Sequence, residues 1–165
     1  MILHAGLVAQ RQGGRWRGVL IEGPSGAGKS DLALRALEAG FRLVADDRVI
    51  VWASAGRLFG RAPGPLAGLI EARGQGVLAE PPVDLAEIVL AAVCVASGES
   101  LERMPEPQAV IMAGIAVARL AIDAATPSAP ARLRRAMEHL GAARLPAYQA
   151  CPLGGGAPRG TGDSP

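Results

Sequence analysis

Aromatic residues are scarce, at 3% of 165 positions. Surfaces that hold single-stranded nucleic acid by stacking bases on rings need more of them. Charge of one sign is also lacking. The 17 basic and 15 acidic residues leave a net charge of +2. A protein that holds nucleic acid through a strong positive field is thereby excluded. Two cysteines, Cys94 and Cys151, make no disulfide framework and lack the paired spacing of a zinc site. Long apolar runs are missing too. The longest, Ile88 to Ala96, falls short of the roughly 18–20 residues of a membrane helix. Met1-Ile2-Leu3-His4 has neither the basic start nor the apolar stretch of a signal peptide. These absences predict a cytoplasmic protein with neither nucleic acid nor membrane as a partner. What is present suffices for one domain with a real core: half of the residues are hydrophobic and 19% are charged.

Lysine is the most telling scarcity. Sixteen of the basic residues are arginine, and Lys29 is the single lysine. A compact ammonium and a forked guanidinium are not interchangeable at a tight phosphate site. Lys29 lies in Gly23-Pro24-Ser25-Gly26-Ala27-Gly28-Lys29-Ser30, a full match to the G-x-x-x-x-G-K-[ST] phosphate loop. Trp16 to Glu22 reads as a strand before it. Leu32, Ala33, Ala36 and Leu37 recur at helical spacing after it, up to a stop at Gly40. Glycines let backbone amides approach phosphates closely, and the helix start adds amides and a dipole. All eight loop residues are candidate nucleotide contacts, with Lys29 on the β- and γ-phosphates and the Ser30 hydroxyl on Mg²⁺. The loop predicts binding of a nucleoside triphosphate or another polyphosphate, not a particular reaction.

The remaining pattern alternates strands and helices. Strands are expected over 2–10, over 41–45, over 49–53 with 57–60 as a hairpin, and over 109–113; the periodicity of 84–96 allows a helix, but its apolar run favours a buried strand. Residues 69–77 read as extended or looped. Helices are expected over 114–124 and 131–140. From Gly141 the composition turns to Gly, Pro and Ala without periodicity, which predicts a domain over 1–142 and a mobile tail over 143–165.

Phosphoryl transfer needs a metal ligand and, for an alcohol, a base. Asp46-Asp47 ends an apolar strand, with Asp47 following Ser30 by 17 residues. Adjacent acids on a strand point to opposite faces, so one suits the nucleophile and the other, Asp46, the metal side. Glu71 and Arg73 alternate in Ile70-Glu71-Ala72-Arg73-Gly74-Gln75-Gly76. That spacing puts both on one face, suited to a magnesium–phosphate site or to a plain surface ion pair. His4 by itself reads as an ordinary packed or exposed histidine, and His139 as a solvated one.

Together, His4-Ala5-Gly6-Leu7-Val8, the phosphate loop, Arg42-Leu43-Val44-Ala45-Asp46-Asp47 and Ile70-Glu71-Ala72-Arg73-Gly74-Gln75-Gly76 resemble the ordered motifs of the HPr kinase/phosphorylase catalytic domain. The resemblance covers residues 1–125. It implies an α/β phosphate-loop kinase fold like the nucleotide-binding core of phosphoenolpyruvate carboxykinase, with a mixed central sheet and flanking helices. It also implies an ATP- and Mg²⁺-dependent serine/threonine kinase acting on a serine of HPr, the phosphocarrier of the bacterial phosphotransferase system. Carried over by motif, Asp47 is the base, Lys29 holds the phosphates, and Ser30 and Glu71 ligate Mg²⁺. His4 lies near the catalytic carboxylate, and Arg103 in Leu101-Glu102-Arg103-Met104 stands where the family has a functional arginine.

Three departures modify the expectation. With His4 at the start of the sequence, the family's N-terminal domain is expected to be absent, as in the short alphaproteobacterial forms with a regulatory phosphotransferase system. Gln10 to Arg17 is longer than the family's usual turn. The Pro-Val-x-x-Gly-Arg-Asn segment tied to dephosphorylation is replaced by residues 107–116, without the Arg-Asn, so phosphorylase activity is expected to be weak or absent. Family members commonly form hexamers. A small-molecule kinase and a nucleotide-binding regulatory module without catalysis are the competing readings.

Overall fold

The computed structural model describes residues 1–96, 98 and 100–140. The expected tail over 143–165, and Cys151 within it, lie outside the described residues. In chain order the elements are β1 (Ile2–Leu3), β2 (Gly6–Gln12), β3 (Arg15–Glu22), α1 (Lys29–Glu38), β4 (Arg42–Ala45), β5 (Val49–Ser54) and β6 (Arg57–Arg61). A 3₁₀ turn (Gly64–Leu66) follows. Then come β7 (Leu69–Ala72), β8 (Gly76–Ala79), β9 (Ala86–Val95), β10 (Gln108–Met112), β11 (Ile115–Asp123) and α2 (Ala129–His139). This is the expected α/β architecture, a mixed sheet flanked by helices.

Nine strands form one sheet in the order β1-β5-β6-β9-β3-β2-β4, with β11 also on β9 and β10 on β11. β7 and β8 form a separate hairpin. β3, β9 and β11 run parallel, so their carboxyl ends gather on one side. The two outer strands of the main path are β1 and β4. Yet only His4-Ala5 separates β1 from β2, and only Asp46-Asp47-Arg48 separates β4 from β5. Links that short, at about 3.3–3.6 Å per residue, force the sheet to curl until its two ends nearly meet.

Both faces of the curled sheet are packed. On one side Val19 and Ile21 of β3 meet Leu32, Ala33 and Ala36 of α1, Phe41, and Leu133 and Met137 of α2. On the other, Leu20 joins Leu7, Val49, Val51, Leu58, Ile88 and Ala91. Such double burial is why β3 and β9 read as apolar runs rather than alternating ones. The inner side is tight around Leu7. A Cβ at Gly18 would come within 2.8 Å of the Leu7 side chain, and one at Gly60 within 2.6 Å. The stop at Gly40 takes a defined form. Phe41 N–H donates to the Ala36 carbonyl and Gly40 N–H to that of Leu37, both at 3.0 Å, with Gly40 at φ 90°. This Schellman arrangement turns the chain so that Phe41 is buried in the helix-side core.

One expectation fails. Within the helix expected over 114–124, Ile115–Asp123 form the strand β11 instead. Their alanine-rich sequence fits helical spacing, but the second edge of β9 from Leu90 onward is free for a parallel partner. Ala118–Asp123 fill it in register with Leu90–Val95. A turn at Ala113-Gly114, with φ of 47° and 79°, folds β10 back onto β11. The first expected strand also splits, into β1 and β2 on either side of His4-Ala5, while 69–77 resolves into the β7–β8 hairpin. α2 starts two residues earlier than its spacing suggests.

α2 is held to the sheet mainly by Leu133 and Met137, both fully buried. Leu133→Ala is expected to cost about 2–5 kcal/mol in chemical denaturation. Ile111→Ala, at a side chain exposed on the edge strand β10, should stay within about 0.5 kcal/mol of wild type.

Candidate active site

Residues 23–28 join β3 to α1 at the carboxyl end of the parallel strands. Gly23 is required by crowding as well as conformation. At φ 145°, an added Cβ would lie 2.9 Å from the Cys94 carbonyl oxygen and 3.0 Å from its Cβ. Gly28 takes the N-cap position of α1 in the left-handed region, and no side chain caps the helix. Its first-turn amides are thus left to face the loop. Lys29 is 9% exposed, and its ammonium donates to the carbonyls of Gly23 at 2.9 Å and Pro24 at 3.0 Å. Among the described residues no carboxylate pairs with it. The buried charge is met by two neutral dipoles and is available to an anion.

Ser30, in the first turn of α1, donates its hydroxyl to Asp46 Oδ1 at 3.1 Å. Asp46 Oδ2 accepts the backbone amide of Glu71 at 3.1 Å. The Asp46 side chain is buried, at 5% exposure. One carboxylate therefore joins the helix start, the end of β4 and β7. Asp47 diverges from it, though not through strand alternation. β4 ends at Ala45, and Asp47 sits at φ 64° in the turn. This swings its side chain outward, where it is 56% exposed. There Asp47 Oδ1 lies 3.1 Å from His4 Nδ1, and Oδ2 lies 3.6 Å from Arg48 Nε. His4 and Asp47 occupy the two links that cross the seam of the curled sheet, which is why residues 43 positions apart in sequence meet.

Glu71 is anchored by its backbone, and its side chain is exposed. Arg73 does not share a strand face with it. β7 stops at Ala72, Arg73 begins the turn to β8, and no ion pair joins the two. Arg103 is exposed in the link from β9 to β10. That link leaves the same sheet edge as the phosphate loop, but Arg103 makes no hydrogen bond or ion pair among the described residues. His139 is exposed on α2, as expected.

Two residues at the site went unnoticed in the sequence. Arg35 of α1 donates to the carbonyls of Ala124 and, at 3.2 Å, Thr126. It clamps the helix to the residues just after β11, where Ala124 would touch a Cβ at Gly28. Glu22 is the last residue of β3, directly before the loop. Burial raises its pKa from 4.5, and Arg119 partly offsets this. A carboxylate ending a central strand was the available signal. Behind the loop, burial pushes the Cys94 thiol up to about 11, against the pull of Lys29 and Arg35.

The raised carboxyl of Glu22 has a definite sign. Its folded form holds a proton that the unfolded chain releases near pH 4.5, so it lowers stability as pH rises through and above that value. Glu22→Gln should therefore be more stable than wild type at pH 7, with the gap closing below pH 4.5 in parallel denaturation curves. Cys94 should resist thiol reagents at pH 8 in a Cys151→Ser background and react only on unfolding. Rapid labelling of the folded protein would contradict its burial.

A helix start with unsatisfied amides, a buried ammonium and a serine held by a buried aspartate define an α/β protein built on a phosphate loop. Residues 14–81 match the model of the HPr Serine kinase C-terminal domain. The matched stretch contains the phosphate loop, Asp46, Asp47 and Glu71. The chain is 45% identical over 64 residues to the HPr kinase/phosphorylase of Clostridium tetani, covering 39% of this chain and 21% of that protein. With the HPr kinase/phosphorylase of Streptococcus thermophilus the chain is 52% identical over 62 residues, covering 37% and 20%. The chain thus aligns with about a fifth of the length of these curated relatives. The fold is shared more widely. The solved structure of the Hpr(Ser) kinase/phosphatase from Coxiella burnetii superposes with a TM-score of 0.71 at 24% identity, covering 84% of this chain and 94% of that one.

Proposed function

We propose that the protein transfers the γ-phosphoryl group of ATP to a serine hydroxyl of the phosphocarrier HPr. The observation that carries this reading is the pairing of a phosphate loop with an outward-facing carboxylate, Asp47, held by His4. The phosphate loop and Lys29 bind and orient the triphosphate. Asp47 takes the proton of the attacking serine hydroxyl as its oxygen bonds to phosphorus and the bond to the ADP oxygen breaks. His4 Nδ1 and Arg48 aim the carboxylate. Arg103 supplies a further cation to the transferred group. Exposure of Asp47 favours a hydroxyl carried on a protein surface over a small enclosed substrate.

Magnesium fits the donor set. It prefers hard oxygen ligands and takes most of them from phosphates and water, needing only one or two from the protein. The Ser30 hydroxyl and the Glu71 carboxylate would hold it, with Asp46 on the same side fixing Ser30. Bound there, it would neutralise charge on the β- and γ-phosphates. The absence of an Arg-Asn pair in 107–116, which folds as β10 and its turn to β11, supports a kinase with weak or no phosphorylase activity.

Incubation with HPr and labelled ATP, followed by mapping of the labelled residue, tests the proposal. Asp47→Asn is expected to lose about 10²–10⁴-fold in transfer while keeping nucleotide affinity within a few-fold. Lys29→Ala should weaken both. Transfer by Asp47→Asn at the wild-type rate would remove the proposed base. Nucleotide binding without transfer to HPr would leave a regulatory module, and labelling of a metabolite instead would make the protein a small-molecule kinase.

A further inference from the structure

The end of β3 opposite the phosphate loop carries a second cluster of cations. Gln12, Gly13, Arg15 and Arg17 line a pocket of about 250 Å³ at the β2–β3 hairpin. Its composition follows from the register. Gln12 pairs with Arg15 and Gln10 with Arg17. Cross-strand partners share a face, as do residues two apart along a strand. All four polar side chains therefore project from one side of the hairpin, while Arg11 and Trp16 project from the other.

The charge there is not neutralised internally. Neither Arg15 nor Arg17 forms an ion pair among the described residues. Glu87 is the register partner of Arg17 on β9, yet its carboxylate pairs with Arg57 at 3.6 Å. Two guanidiniums, those of Arg17 and Arg57, thus stand by one carboxylate, whose Oε2 is also buried without a hydrogen-bond partner. Arg17 Nε is moreover buried without a hydrogen-bond partner. A buried, unpaired donor costs about 1–3 kcal/mol, more when charged, so it is a place where a ligand acceptor gains binding energy. Space is open at the tip of the hairpin, where a Cβ at Gly13 or Gly14 would meet nothing within 4 Å.

We propose that this hairpin pocket is a second anion site, for a phosphoryl group, separate from the phosphate loop. Guanidinium forks match the oxygen geometry of phosphate. The volume accommodates inorganic phosphate or the phosphate end of a small phosphomonoester, and it is too small for a nucleotide. Arg17 and Gly23 are six positions apart along the strand direction, roughly 20 Å at about 3.3 Å per step. One phosphate cannot bridge the two sites. The proposal stands independently of the kinase reading.

Arginine Nε–Hε resonances of the ¹⁵N-labelled protein provide the test. Inorganic phosphate, O-phosphoserine and sodium chloride are titrated at matched ionic strength into wild type and into Lys29→Ala, which disables the phosphate loop. Saturable movement of the Arg17 resonance by phosphate in both proteins, at least fivefold weaker in Arg15→Gln, is the expected result. Response to phosphate alone, or to O-phosphoserine as well, tells free phosphate from a phosphomonoester as the ligand. Arg15 is exposed, so Arg15→Gln keeps the fold even where Arg17→Gln does not. An equal response to chloride, no saturation, loss of the response in Lys29→Ala, or indifference to Arg15→Gln would each overturn the site.

Discussion

The site rests on the carboxylate of Asp46. One oxygen holds the Ser30 hydroxyl and the other holds the Glu71 amide, so three separate elements are registered to one buried group. Hydrogen bonds to a charged partner are worth about 1.5–3 kcal/mol each, and removal of the carboxylate would strand two donors at once. The geometry of the phosphate loop relative to the β7–β8 hairpin follows from this tie. The outward-facing residues Asp47 and Glu71 are each adjacent to it: Asp47 in sequence and Glu71 through its backbone.

The curl of the sheet makes the second half of the site. A flat sheet in the same strand order would leave the residues after β1 and after β4 at opposite edges. The two short links across the seam bring them together, and they carry His4 and Asp47. Leu7, flanked by Gly18 and Gly60, fills the inside of the curl. Packing of an apolar side chain between two glycines is thus part of what places a histidine beside an acid.

Local satisfaction is withheld at the start of α1. The N-terminus of α1 has no side-chain cap, and Lys29 is buried against carbonyls instead of a carboxylate. Elsewhere the same helix is well terminated, by a Schellman turn at its far end and by the Arg35 clamp. This contrast within one helix separates structural from functional demand, as expected where a binding site departs from local consistency.

Much was legible in the sequence because it depends on neighbours in the chain. The phosphate loop, the single lysine, the helix stop at Gly40 and the apolar strand before the loop are local patterns, each with a local physical cause. The divergence of Asp46 and Asp47 was legible in outcome but not in cause: a positive φ in the turn separates them, not the pleat of a strand. Arg73 and residues 114–124 were misread for a related reason. Spacing states which side chains share a face only once the element is known. Alanine-rich segments satisfy helix and strand alike until a free sheet edge claims them. Only the tertiary structure could decide the seam that joins His4 to Asp47, the burial that raises Glu22 and the open guanidiniums at the hairpin. Each depends on which distant strands close on one another, and that depends on the sum of many weak apolar contacts that no single stretch of sequence contains.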